Sequence, residues 1–433
     1  MKFKHLLLTA SVMALFSSCS NDELVSENTS HGDAIAFSVT TTNATRAADY
    51  WCNSQLPKYF EVSTAYNNAF YFNNEVYKAE GENYVQADGN YRYWPDVTTT
   101  PLYVYAYKVK ADAKNGSDED VLGSAFAEFA WTAANAAPTI TMTPAVEAKD
   151  QHDLLYAYDK VETKPAYGAT HTINFRHALS QIVFYAKCSN SKIQVDIEEV
   201  ALYNAAKSGV FTLPTEDNTT SPNFVEHSQA GTETPQPSKG LGTWALTPAY
   251  EESATDKAIR SYKASCDAKL LATTENWTNL TDNKNADNKH TDFNQSFLVL
   301  PQTDYTKGGT VTGVVNNNLA AYVPGNGSLK TQGGACIAIK CTIRNIASGT
   351  EATGTDVYLW GDKQTDGSYK AKDLVIPVAF TWEQGKKYIY RINFAAKGHG
   401  GYDPGTGDEV LVPIQLSVTV DDFAKVTDII PEF

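Results

Sequence analysis

Residues 34–47 read Ala-Ile-Ala-Phe-Ser-Val-Thr-Thr-Thr-Asn-Ala-Thr-Arg-Ala. Ile35, Phe37, Val39 and Thr41 recur at period two and fall on one face of a strand, while Ala36, Ser38 and Thr40 fall on the other. The alternation runs into Arg46, the first Lys or Arg after Lys4. Two readings follow. Ala34–Thr42 is either a strand made to be removed at a lone basic site, or a permanent edge strand with an ordinary linker behind it. Burying Ile35, Phe37 and Val39 is worth about 1.5–3 kcal/mol each as an upper figure. Together that is of the order of a whole domain's net stability.

On the N-terminal side, Met1–His5 is short and basic, and Leu6–Phe16 is an apolar run too short to span a bilayer, as expected of a signal peptide. Phe16-Ser17-Ser18-Cys19 resembles the lipobox of bacterial lipoproteins, although Phe16 stands where Leu is usual. Residues 1–18 are therefore predicted to be a lipoprotein signal peptide with Cys19 as the lipid site, and residues 19–46 a tether plus removable first strand, a propeptide. Ser20-Asn-Asp-Glu23 is similar to the surface-export signals of Bacteroidetes lipoproteins.

On the C-terminal side the chain is built for β-structure. It has 25 Tyr and 18 Phe against 3 Met. Its length of 433 residues is enough for a large core, and its net charge of −15 gives no means of neutralising phosphates, which argues against a nucleic-acid partner. One series of short runs spans Tyr59–Tyr158. Within it Leu102, Val104 and Ala106 alternate with Tyr103, Tyr105 and Tyr107, so both faces are apolar or aromatic, as in a central strand. A second series begins near His171 with the run Ile173–Lys187 and ends with Val410–Val420. Pro214–Lys239 and Glu251–Thr291 read as long surface loops, the second with room for a short helix. The predicted fold is all-β, with two tandem β-sandwich domains at 47–168 and 169–433.

Five cysteines remain after Cys19, an odd number. Cys336 and Cys341 fall on opposite faces of one predicted strand and are not expected to bond; buried or free thiols are expected instead. Asp403, Asp408 and Glu409 are close in sequence but lack the alternating oxygens of a calcium loop, and His177 reads as a hydrogen-bonded structural histidine. No nucleophile elbow, P-loop, zinc helix or dinucleotide fingerprint is present, so no catalytic residue, metal or cofactor is expected and the chain is not expected to be an enzyme.

Several patches then resemble one family. They are Asp153-Leu-Leu-Tyr-Ala, Ile173-Asn-Phe-Arg-His-Ala-Leu-Ser-Gln-Ile-Val-Phe, Val195-Asp-Ile-Glu-Glu-Val-Ala-Leu-Tyr-Asn with Ser208-Gly-Val-Phe, Val378-Ala-Phe-Thr-Trp-Glu-Gln-Gly-Lys-Lys-Tyr-Ile-Tyr-Arg-Ile-Asn-Phe, and Pro413-Ile-Gln-Leu-Ser-Val-Thr-Val-Asp-Asp-Phe. With the lipobox and Asn43-Ala-Thr-Arg46-Ala47, their order is similar to the fimbrillin (Mfa-like/FimA-like) pilus subunits of Bacteroidales, although Phe423 stands where that family more often has Trp. The resemblance implies transthyretin-like sandwiches and a precursor lipidated at Cys19 in the outer membrane. It also implies an arginine-specific protease cutting between Arg46 and Ala47, and a cell-surface fimbrium built by donor-strand exchange with other fimbrial subunits. The mature fimbrium would contribute to adhesion to a host or bacterial surface ligand.

The tail Phe423-Ala-Lys-Val-Thr-Asp-Ile-Ile-Pro-Glu-Phe433 offers Phe423, Val426, Ile429, Ile430 and Phe433 as donor-strand residues, with Lys425, Asp428 and Pro431 interrupting. That tail tips the expectation slightly toward a shaft subunit over a tip subunit. The alternative is a non-polymerising surface lipoprotein that binds glycans on exposed aromatics, drawn from Tyr91, Tyr93, Trp94, Trp244 and Trp277.

Overall fold

The computed structural model describes residues 33–41, 57–215, 241–250, 253–272, 277–284, 290–294, 296–302, 321–347, 351–353, 356–397 and 400–422. Cys19, Arg46, Ala47 and the tail residues Phe423, Val426, Ile429, Ile430 and Phe433 lie outside the described residues. The all-β expectation holds: among the described residues the only helical turns are Ala148–Asp150 and Leu329–Gln332, and no helix is long and apolar enough to cross a membrane.

The first series of strands closes on itself. Its staves are β1 (Phe37–Thr41), β2 (Tyr59–Tyr66), β3 (Ala69–Glu80), β4 (Asn83–Gln86), β5 (Leu102–Lys108), β6 (Leu155–Val161) and β7 (His171–His177), in the spatial order β1-β7-β6-β5-β2-β3-β4 and back to β1. Period two turns Phe60, Val62, Leu102, Val104, Ala106, Leu155, Ala157, Ile173 and Phe175 into the barrel. β5 pairs with β2 on one side and β6 on the other, and its outward residues Tyr105 and Tyr107 are buried as well, in a second core. Apolar residues on both faces therefore mark a strand covered on both faces.

The second series forms two facing sheets from β8 (Ser180–Cys188), β9 (Ile193–Tyr203), β10 (Arg260–Leu271), β11 (Cys336–Asn345), β12 (Lys372–Pro377), β13 (Lys386–Phe394) and β14 (Glu409–Asp422). β10-β9-β11-β12 make one sheet, and β8-β13-β14 lie in the other, with β8 and β13 parallel. β14 links them. Pro413 is the partner of Gly400 beside β12, and from Ile414 onward the strand pairs with β13. Ile182 and Phe184 from one side meet Val195, Ile197, Ile337 and Ile339 from the other in a common core. Cys341 points into that core and Cys336 into a separate cluster on the outer face, so period two does hold them apart. Cys188, Cys266, Cys336 and Cys341 are free thiols, and burial pushes all four up, Cys266 to about 12.

Two features were hidden in the sequence. The run Ile173–Lys187 is divided between β7 of the barrel and β8 of the sandwich, with Ala178 and Leu179 buried between them. And β10 runs through the segment expected to be a loop. Tyr262, Ala264, Ala268 and Leu270 alternate inward, but alanines weaken the signal and the charges of Lys263, Asp267 and Lys269 mask it. Those charges suit a sheet edge, where they discourage pairing with another chain.

A four-stranded sheet joins the two halves. Ala127–Ala130 and Thr139–Met142 precede β6, Ser208–Thr212 and Thr243–Thr247 follow β9, and Thr139–Met142 pairs directly with Ser208–Thr212. Ile140, Tyr156, Leu179, Phe211 and Leu298 pack in the core beneath it, so that core is built from residues on both sides of residue 168. Because this core is shared, chemical unfolding should follow a single transition for barrel and sandwich probes alike. Phe211→Ala should lower stability by about 3–5 kcal/mol in a denaturant titration.

Candidate functional site

β1 is the stave that closes the barrel. It runs parallel to β7 over five residue pairs, Phe37–Thr41 against His171–Phe175, and antiparallel to β4 over only two, Phe37 with Tyr84 and Ser38 with Asn83. The chain ahead of it is gripped too. The Ile35 amide donates to the Arg92 carbonyl (2.6 Å), the Trp94 amide donates to the Asp33 carbonyl (3.3 Å), and Ala34 bridges Tyr93. The His171 amide donates to the Ala36 carbonyl (2.9 Å). Residues 33–41 thus lie in a groove walled by β7 on one side and by β4 with Arg92–Trp94 on the other.

Ile35, Phe37 and Val39 point into the barrel core, and Phe37 is fully buried. Its ring meets Tyr77 edge-on at 4.9 Å and lies 6.3 Å from Phe60 and 6.4 Å from His171. On the outward side Ser38 and Thr172 hydroxyls are 2.9 Å apart. Asp33 pairs with Lys164 at 2.6 Å, and His171 Nε2 contacts Asp159 at 2.8 Å. At the groove floor burial pushes the Tyr77 and Tyr84 phenols far above their ordinary range. Tyr84 donates to the Pro57 carbonyl (2.6 Å), but the buried Tyr77 hydroxyl has no hydrogen-bond partner among the described residues. Together with the two-residue contact to β4, this makes β1 an imperfect closure.

Arg92, Lys164 and Asp159 were not among the residues that the sequence singled out, and Tyr93 and Trp94 were singled out only as aromatics for a glycan. They lie far along the chain from residues 33–41, and nothing local marks them as neighbours. Other candidates resolve into structural roles. His177 is buried and bonds the Asp153 carboxylate. Trp94 is part of the barrel core, the Trp244 indole donates to the Ala178 carbonyl (2.8 Å), and Lys187 lies over Trp277 at 4.6 Å. Tyr93 is about half exposed, but its carbonyl takes the Tyr71 hydroxyl (2.7 Å) and its backbone grips Ala34. In the loop before β14, the Asp403 carboxylate takes Lys372 and the Gly405 amide rather than presenting open oxygens. No cluster of metal-ligating side chains occurs among the described residues.

No protein-family model matches the chain, and no curated protein matches it. Among solved structures it is similar to a fimbrial protein from Bacteroides vulgatus (14% identity, covering 89% of this chain and 98% of that one, TM-score 0.44). It is also similar to a fimbrial assembly protein from Parabacteroides distasonis (8% identity, covering 90% and 99%, TM-score 0.32).

Since Phe37 carries the deepest contact of β1, Phe37→Ala should destabilise the barrel by about 3–5 kcal/mol, read as a lower denaturation midpoint by Trp fluorescence.

Proposed function

We propose that this chain is a structural subunit of surface fimbriae, exported as a lipoprotein and anchored in the outer membrane through Cys19. A protease with arginine specificity cuts between Arg46 and Ala47, the strand bearing Ile35, Phe37 and Val39 leaves, and another subunit's strand takes its place. We assign the chain a structural and adhesive role and no reaction. The observation that carries this reading is that the strand preceding Arg46 is the stave on which closure of the barrel depends. Its loss exposes the backbone of β7 along one side and of β4 and Arg92–Trp94 along the other, with an apolar trough between. Such a pair of edges is a template for β-augmentation. The lipobox-like Phe16–Cys19 and the ordered patches that resemble fimbrillins support the same reading.

Intact-mass analysis of surface material tests it. The wild-type chain should appear without lipid and beginning at Ala47, and Arg46→Ala should keep residues 19–46 and its lipid and form no detergent-resistant ladders. A permanently lipidated wild-type chain, or ladders from Arg46→Ala, would sink the proposal.

A further inference from the structure

The groove also constrains what can enter it. Its features fix a pattern over residues 33–39: an acid opposite Lys164, then large apolar, aromatic and β-branched side chains at alternate positions, held here by Asp33, Ile35, Phe37 and Val39. We propose that the groove takes a strand with this acid–apolar–aromatic–β-branched pattern from a different protein, and rejects residues 423–433 of its own chain, so that the opened protein does not assemble with copies of itself. This rests on the reading of residues 33–46 as removable.

The tail fails in every register. Phe423 at the place of Phe37 puts Asp421 where Ile35 lies and Lys425 where Val39 lies. Val426 there puts Asp428 at the place of Val39, and Ile430 puts Asp428 and Glu432 at both flanking places. Each would bury an unpaired charge in a core whose neighbours are Phe60, Tyr77, Tyr84 and Phe175. Ile429 is the mildest choice. It still places Thr427 and Pro431 in the two flanking sites and Lys425 opposite Lys164, costing a ladder hydrogen bond at proline and setting two cations together. Phe433 brings Pro431 to the place of Ile35. Reversing the strand direction exchanges the flanking positions without removing the buried charges or the proline; in the Ile429 register it sets Phe433 rather than Lys425 opposite Lys164 and moves Pro431 to the place of Ile35.

The test uses fluorescent peptides of residues 33–41, of residues 423–433, and of residues 33–41 carrying Phe37→Lys. They are titrated against the full chain cut after Arg46, and against the uncut full chain carrying Phe37→Ala, whose own strand is weakened in place. The 33–41 peptide should bind both proteins roughly 100-fold more tightly than either of the others, and the cut chain alone should remain monomeric by light scattering. Equal binding of the 423–433 peptide, binding of no peptide, or ladders formed by the cut chain alone overturns the inference. If Arg46 resists cleavage while the uncut Phe37→Ala chain still selects the 33–41 peptide, the selectivity stands and the processing reading falls.

Discussion

Closure of the barrel by β1 is the constraint on which the first half of the molecule depends. A closed barrel has no edges, and this one is closed by a strand held through five parallel pairs to β7 and two antiparallel pairs to β4. Ile35, Phe37 and Val39 supply the matching side chains, so backbone closure and core completion are the same event. Elsewhere the barrel holds together by longer ladders, β2 with β3 and β5 and β5 with β6, except that β6 meets β7 over only two pairs, Leu155 with His177 and Tyr156 with Arg176. Loss of β1 would therefore leave six staves still paired in sequence, opened along one seam.

One wall of the seam, β7, leads through Ala178 and Leu179 into the shared core, whereas the other wall, β4, contributes no residue to it. β5 and β6 turn Tyr105, Tyr107 and Tyr156 outward into the core that they share with Phe211, Leu246 and Leu298. That core and the four-stranded sheet above it anchor the barrel through staves that are not neighbours of β4. The sandwich likewise keeps its own core, with β14 stitching one sheet to the other. An opening at β1 thus costs the barrel its closure while the shared core and the sandwich keep their contacts.

The sequence made this arrangement legible in some places and not in others, for physical reasons. Strong alternation of large residues, as in β1, β5 and β14, announces strands because burial on one or both faces demands it. β10 escaped notice because its inward face is built partly from alanines and its outward face from the charges that protect an edge. The division of Ile173–Lys187 between barrel and sandwich is invisible to periodicity, since Ala178 and Leu179 are as buried as the strands on either side. For the groove, period two places Ile35, Phe37 and Val39 on one face. The walls that receive them come from His171–Phe175, Asn83–Tyr84 and Arg92–Trp94, and only the fold brings those together.

On the proposed reading β1 serves only until it is replaced, and such a strand has to satisfy two opposed demands. While joined to the chain it competes at the high effective concentration of a tethered segment, which for short linkers reaches the millimolar range. An imperfect fit then suffices to keep the barrel closed: parallel pairing with β7, a brief contact with β4, and a Tyr77 hydroxyl with no partner among the described residues. Once the tether is cut, that advantage disappears and only the intrinsic fit remains. A strand running antiparallel to β7, pairing farther along β4, or offering an acceptor to Tyr77 would then bind better than β1. An ideally fitted β1 would close the barrel more firmly but would still hold the groove after cleavage. Its shortfalls are in this sense consistent with a strand that folds the barrel and then gives way.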